Sequence, residues 1–272
     1  MTAAEHILEK ALLPTHLNAR EIREQVARDI RRRSLWTARC AERAFLEPLQ
    51  EACADVAGGK INNALFREKM RGVLDALGYD PVRGGWVDDP FNDGEPVAGL
   101  SNLRSARRLD LIADTQRLKA ASAARLASQT PSVLALWPAW RLERYATRTA
   151  ERDWPERWQA AADEVDWEGV AASGLVALKG SPIWQALGDG AGGYTDATGD
   201  ATPPFAYNSG MDWTDVDRDE CEALGLNPGD AVAEDAGLSP DERDIRRARE
   251  KYGDAFVDEL LAEFDELEKG DA

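Results

Sequence analysis

The sequence predicts a mainly α protein: a long-helix N-terminal body, a small Trp-rich α+β subdomain and a C-terminal helix. Three observations carry this. Apolar residues recur every three or four positions over 18–57, 61–77 and 102–128, the spacing of one helix face. Trp137, Trp140, Trp154, Trp158, Trp167, Trp184 and Trp213 are seven of the nine tryptophans and all lie beyond residue 136. A further amphipathic run, 241–268, follows a polar stretch bearing Pro228, Gly229, Gly237 and Pro240. The expected organisation is a helical body over 1–136, the Trp-rich subdomain over 137–226, a linker over 227–240 and an acidic amphipathic helix within 241–272.

Residues 18–57 read as one long helix. Asn18 is its N-cap, with Glu21 three residues on as in a capping box. Pro48 should kink or split it, and Gly58-Gly59 should end it. A second helix runs from Ile61 to Leu77 and stops at Gly78, making a helical hairpin with the first. Residues 79–100, rich in Gly, Pro and Asp, read as an irregular loop. Ser101 is the expected cap of a third helix, 102–128, and Pro131 opens a short one over 131–136. Leu175-Val176-Ala177-Leu178 reads as the one buried strand, and Ser181 to Trp184 as the start of a turn or short helix. Residues 188–202 read as a flexible loop, 203–211 as compact and turn-like, and 212–225 as acidic with a short helical stretch. In the last helix, 241–268, Ile245, Tyr252, Phe256, Leu260 and Phe264 supply the apolar side.

The chain of 272 residues carries 33 Lys+Arg against 50 Asp+Glu, a net charge of −17. Such acidity argues against a protein that coats DNA with its whole surface. The charge is uneven, however. Residues 1–150 hold 23 basic and 19 acidic residues (+4), whereas 151–272 hold 10 and 31 (−21). Residues 101–150 are the most basic, at +6, which makes Arg104, Arg107 and Arg108 candidates for nucleic-acid or partner contact. No apolar run is long enough to span a membrane, and Met1 to Lys10 lacks the pattern of a secretory signal. Cys40, Cys53 and Cys221 are odd in number and far apart, which suits free thiols in a reducing compartment.

Catalytic patterns are scarce. The two histidines, His6 and His16, lie in no nucleophile or metal motif. Gly188 to Gly193 is glycine-rich but does not match a phosphate loop. Asp212, Asp215, Asp217 and Asp219 could meet a hard cation, but their order does not match the twelve-residue calcium loop. No cofactor, metal or catalytic residue is expected. In Arg152-Asp153-Trp154-Pro155-Glu156-Arg157-Trp158, the two tryptophans fall at i and i+4 on a helix beginning near Pro155. There the arginines can stack on the rings or pair with the carboxylates.

Several segments, in order, resemble the F-like minor head (head-morphogenesis) proteins of Mu-type tailed phages and prophages. The first is Leu136-Trp137-Pro138-Ala139-Trp140-Arg141-Leu142-Glu143-Arg144, followed by Arg152 to Trp158. Val176 to Lys179 and Ser181 to Trp184 come next. Pro203-Pro204-Phe205-Ala206-Tyr207-Asn208-Ser209-Gly210-Met211 and Ala223 to Leu226 complete the series. Upstream, Leu13 to Thr15, Ser34 to Arg39, Leu77 to Tyr79 and Ala106 to Ile112 are also similar to that family, so the resemblance spans most of 12–230. The residues that carry it as family-motif positions are Trp137, Pro138, Arg141, Arg144, Arg152, Asp153, Trp154, Arg157, Trp158, Lys179, Trp184, Pro204, Phe205, Asn208, Ser209, Gly210 and Met211.

The resemblance implies a structural role in virion assembly. The expected partners are portal or capsid proteins and packaged DNA, in the virion interior or in the host cytoplasm during assembly. It implies no enzymatic activity. Many relatives close this region with a Pro-His/Asn-Cys-Arg-Cys segment. Pro204 to Met211 occupies that place without cysteine or histidine, so no metal or disulfide role is implied here. The residues alone leave two alternatives open: a nucleic-acid-processing enzyme or toxin on a phage structural scaffold, and a DNA-binding module acting through 101–128.

Overall fold

A computed structural model describes residues 1–83, 85–86, 99–146, 152–167, 174–228, 249 and 253, with backbone alone at 28 and 29. Nearly all of the expected C-terminal helix and of the linker, and most of the loop expected over 79–100, lie outside these residues. Helices dominate the described chain. None of them is long and apolar enough to cross a membrane.

The chain opens with α1 (Ala3–Leu8), which no apolar periodicity announced. Its start is fixed by a capping box: Glu5 N donates to Thr2 Oγ1 at 3.2 Å and Thr2 N donates to Glu5 Oε2 at 2.7 Å. β1 (Ala11–Leu12) follows, then α2 (Ala19–Gln25), α3 (Arg28–Arg33) and β2 (Ser34–Leu35), which pairs in parallel with β1.

The single helix expected over 18–57 is therefore broken. Its cap is as read, with Asn18 accepting from Arg20 N and Glu21 N. The chain then turns extended at Val26 and Ala27, and again at Ser34. Burial explains the break. Leu35 is fully buried and β2 holds the entering chain through Leu13 N to Leu35 O at 3.0 Å. Ile30, within the apolar repeat of 18–57, is 51% exposed. The period of 3.6 persisted by composition, not by one continuous face.

α4 (Arg43–Ala57) carries Pro48 inside one continuous helix, so the chain is not split there. Pro48 removes one backbone bond. The buried side formed by Phe45, Leu46, Leu49, Ala52, Cys53 and Val56 holds the helix regardless. α5 (Asn63–Ala76) completes the hairpin, capped by Asn62, with Gly78 just past its end at φ +74°. A two-residue antiparallel ladder joins β3 (Tyr79–Asp80) to β4 (Gly85–Trp86).

α6 (Ala106–Ala127) begins later than expected. Its cap is Ser105, which accepts from Arg108 N at 3.2 Å, while Gly99–Ser101 forms a 3-10 turn. α1, α4, α5 and α6 enclose one core around Phe45, Leu49, Phe66, Met70, Leu109 and Ala120.

Beyond α7 (Pro131–Leu136) the chain builds a three-stranded antiparallel sheet in the order β6-β5-β7. Sequence patterning announced only β6 (Val176–Leu178). It missed β5 (Ala139–Arg144) and β7 (Met211–Val216), the latter read as acidic and partly helical. Both missed strands alternate. Trp140, Leu142, Met211 and Trp213 face one core, while Ala139, Val176 and Val216 face a small second one with Cys221 and Leu226. α8 (Trp154–Glu164), α9 (Ile183–Asp189) and α10 (Arg218–Ala223) surround the sheet.

The stretch 188–202 is knitted into this unit and does not form a free loop. Gly199 N donates to Gly188 O, and Thr198 N to Phe205 O, both at 2.8 Å; Tyr207 N reaches Asp196 O at 2.9 Å. Gly188 lies inside α9, where a Cβ would stand 1.8 Å from the Asp200 carbonyl oxygen. Gly193 has φ +86° but open space around it. Gly188→Ala should therefore lower stability by about 3 kcal/mol or more, through overpacking against backbone. Gly193→Ala should cost only about 1–2 kcal/mol, from its left-handed backbone alone. Urea-denaturation midpoints of the two variants test this ordering.

Candidate functional site

Most of the residues that carry the family resemblance meet in two places: an aromatic core and the polar frame that closes over it. Trp140 from β5 lies on Trp213 from β7, with ring centroids 3.8 Å apart and planes at 8°. The ladder sets Trp140 opposite Asp215, which makes Trp213 its diagonal neighbour on the same face. Trp184 of α9 meets Trp140, Trp158 and Trp213 edge-on and stacks with Phe205 at 5.9 Å. Trp154 and Trp158, at i and i+4 on α8, are both buried on this core.

A buried indole N–H usually finds a partner, and two of this core do, whereas among the described residues those of Trp154 and Trp213 are buried without one. Trp140 Nε1 donates to Asp215 Oδ1 at 3.0 Å and Trp184 Nε1 donates to the Leu178 carbonyl at 2.9 Å. Lys179 Nζ reaches Asp215 Oδ1 at 2.7 Å and Gln129 Oε1 at 2.6 Å, and stands 5.3 Å from the Trp140 ring. Its stem is sequestered, and burial lowers its pKa against the pull of Asp215.

The polar frame centres on Asp196. Arg157 grips it with two bonds, Nη1 to Oδ1 at 2.8 Å and Nη2 to Oδ2 at 3.1 Å, while Arg152 Nε meets Oδ2 at 2.7 Å. Arg152 then extends to the carbonyls of Tyr207 (2.7 Å) and Asn208 (3.1 Å). Arg157 also lies 4.0 Å from the Tyr194 ring centroid. Burial works to raise the Asp196 pKa, but the hydrogen bonds and charges of Arg157 and Arg152 outweigh it and hold the carboxyl below its usual range. Asp153 caps α8 through Glu156 N at 2.9 Å, so it orients the helix that presents Arg157.

The segment below is equally determined. Pro203–Pro204 is cis, and Phe205, Asn208 and Gly210 take positive φ. Ser209 Oγ donates to the Pro204 carbonyl at 2.5 Å and accepts from Met211 N at 3.2 Å, which steers the chain into β7. On the sheet's other face Arg141 pairs with Glu220 at 2.5 Å. Pro138 is buried and its carbonyl accepts from Lys179 N. Arg144 is exposed, with one guanidinium nitrogen 3.5 Å from the Arg152 carbonyl. Trp137 stands outside the aromatic core, 41% exposed.

The basic helix is largely committed within the chain. Arg104 grips Asp75 with two bonds of 2.9 Å. Arg108 bonds Thr37 Oγ1 at 2.7 Å, the Ala38 carbonyl at 2.9 Å and the Leu100 carbonyl. Of the three candidate contact arginines only Arg107 is exposed.

Sequence reasoning missed a second polar cluster, where α6 meets the Trp-rich unit. Lys119 Nζ pairs with Asp200 Oδ2 at 2.5 Å, both side chains nearly buried, and Arg32 approaches Asp200 at 3.8 Å. Burial opposes ionisation of Asp200, yet the charge of Lys119, with Lys10 and Arg32, keeps its pKa low. Lys10 hydrogen-bonds Gln116 at 3.4 Å; burial and the Lys119 charge lower its pKa to about 8. Cys53 is fully buried, which pushes its thiol up to about 12 and leaves it a poor nucleophile. Among the described residues no group of three His, Cys, Asp or Glu side chains is placed to hold a metal ion.

No family model, curated protein or solved structure matches this chain.

Two outcomes follow from these clusters. Asp196→Asn should destabilise by about 1–3 kcal/mol, because two arginines lose their charged acceptor. The wild-type contribution is present above the unfolded carboxylate value of about 4 and is lost as pH falls through the lower folded value. Melting temperatures of wild type and variant should thus converge in acid. Lys10→Met should act in the opposite direction. The lysine pKa is lowered on folding, so its protonated form is penalised in full below about 8, and the penalty fades as pH rises from there and is gone above the unfolded value of about 10.4. The variant should melt about 2–4 °C higher at pH 7, with the gain shrinking above pH 8.

Proposed function

We propose that this chain is a minor head, or head-morphogenesis, protein that works by binding portal or capsid components inside the assembling virion, during DNA packaging or delivery. The observation that carries the reading is the convergence of the resembling segments. Trp140, Arg152, Arg157, Lys179, Trp184, Phe205 and Ser209 come from five separate stretches and interlock as one unit. Their pattern is the requirement of a fold, and it accounts for a motif set without a reacting group.

The chemistry on display suits binding. The arginines and lysine of the motif set are bound to carboxylates and carbonyls of the same chain, with Arg157 and Lys179 mostly sequestered from solvent. Lys10, whose pKa burial lowers to about 8, faces Lys119 and Gln116 at an internal seam. A partner-binding role places function on the outer surface, and the internal network supplies a rigid support for it.

The test is assembly. If portal, scaffold and capsid genes lie beside its own and are co-expressed with it, proheads purified by gradient centrifugation should contain it in few copies per particle. Its absence from proheads and from isolated portal rings would defeat the proposal, and nuclease activity of the purified protein would favour the enzyme alternative.

A further inference from the structure

α7 has the composition of a core helix (Pro-Ser-Val-Leu-Ala-Leu), yet none of its residues is buried. Leu136 is 58% exposed and the adjoining Trp137 41%. Trp137 N donates to the Val133 carbonyl at 2.8 Å, so the helical turn continues through it. Val133, Leu136 and Trp137 therefore stand at i, i+3 and i+4 and share a side. Single exposed apolar residues are ordinary. A helix-borne stripe that includes the one tryptophan of nine classed as exposed is a feature of recognition surfaces.

The edge of this stripe is acidic. The β5–β7 register pairs Ala139 with Val216, which carries the chain before β5 alongside the start of α10. Arg218 Nε closes the join by donating to the Ala135 carbonyl at 3.1 Å. Asp217, the cap of α10, and Asp219 and Glu222 within it are exposed. The nearby cations are turned inward. Lys179 serves Asp215 and Gln129, and Arg125 serves Asp212 and the Trp213 carbonyl.

We propose that the α7 stripe, with the acidic edge of α10, is a docking surface for a cationic amphipathic helix of another protein. Apolar anchors enter against Leu136 and Trp137 while Lys or Arg side chains meet Asp219 and Glu222. The same carboxylates repel an anionic lipid surface. The proposal rests on the head-assembly reading for the partner's setting in the virion, but the surface is tested without particles.

The full chain is titrated into a fluorescently labelled amphipathic helical peptide of leucine and lysine, and into a leucine–glutamate counterpart. Saturable binding of the first alone is expected. Trp137→Ala and Leu136→Ser should each weaken it about tenfold at fixed salt. The pair Asp219→Asn/Glu222→Gln should weaken it and flatten its salt dependence. Leu65→Ser, at a 51% exposed leucine on α5, should leave it unchanged. Near-ultraviolet circular dichroism checks that each variant folds, and Leu136→Ser carries the test if Trp137→Ala does not. Full binding retained in the stripe variants overturns the proposal. So does Trp137-dependent binding to phosphatidylglycerol vesicles, or self-association that Trp137→Ala abolishes. Peptide binding without prohead association refutes the assembly reading alone, whereas prohead association without peptide binding refutes the surface alone.

Discussion

Lys119 and Asp200 meet where each side chain is only about one-seventh exposed, and much of the structure is arranged around that pair. Two charges removed from water cost more than their attraction returns unless further polar groups attend them. Here Arg32 approaches the carboxylate and the Thr198 carbonyl lies 3.4 Å from the ammonium. Gly199 takes φ +80°, and Arg31 Nη1 lies 2.8 Å from where a Cβ would stand. The pair also sets direction. Lys119, Ser122 and Arg125 recur every three residues on α6, and each bonds the Trp-rich unit, at Asp200, the Pro203 carbonyl, and Asp212 with the Trp213 carbonyl. The opposite end of α6 is tied by Arg104 and Arg108 to α5 and to residues 37–38. One helix thus joins both cores, and its basic character is the chemistry of that junction.

This role explains why the charge distribution was legible but its meaning was not. A count of charges places a basic excess on 101–150, and a solvated or phosphate-facing surface is the natural reading of it. Which carboxylates lie across the seam is a long-range fact. Asp200 sits in a Gly-, Asp- and Thr-rich stretch whose composition resembles a free loop. The glycines there serve close packing: Gly188 admits the Asp200 carbonyl, Gly190 the Tyr194 carbonyl and Gly192 the Ala160 methyl. Composition records glycine, but not whether it supplies freedom or proximity.

Elements governed by local chemistry were readable from the sequence. Asn18 with Glu21, Pro131 at a helix start and Gly78 past a helix end fall where capping rules put them. Thr2 with Glu5 carries the same signature, and only its short, weakly periodic helix concealed it. Elements fixed by pairing were not readable. β5 interleaves Arg141 and Glu143 with Trp140 and Leu142, and β7 carries Asp212 beside Trp213, because one sheet face meets ion-pair partners; Asp215 lies on the aromatic face, opposite Trp140 and bonded to its indole. The apolar repeat over 18–57 misled for a related reason. The 3.6-residue period survives a break when separate pieces each contribute buried residues, as Ile22, Leu35 and Phe45 do. The site was legible as residues, since Arg152, Arg157, Lys179 and Trp184 all lie in it. Asp196, the acceptor that organises the two arginines, bears no motif at all.

Once these internal partners are assigned, the surface looks different from the raw composition. The basic residues of α6 are mostly withdrawn into the fold, so the carboxylates of the second half dominate what a partner would meet there. Around Asp196 and Asp200 the acidic groups have arginine or lysine neighbours. Asp219 and Glu222 on α10 stand exposed instead, beside an apolar helix that the core does not cover. Acidic excess on a binding protein serves solubility before assembly and steers a cationic partner toward contact. It becomes specific only where apolar area adjoins it, since long-range attraction alone selects sign and not shape. On this chain the two coincide where α7 ends and α10 begins, at the opposite end of β5 from the Arg–Asp–Arg frame. The rigid ladder between them holds the exposed Trp137 in fixed relation to the acidic helix, which is the preorganisation a binding surface needs.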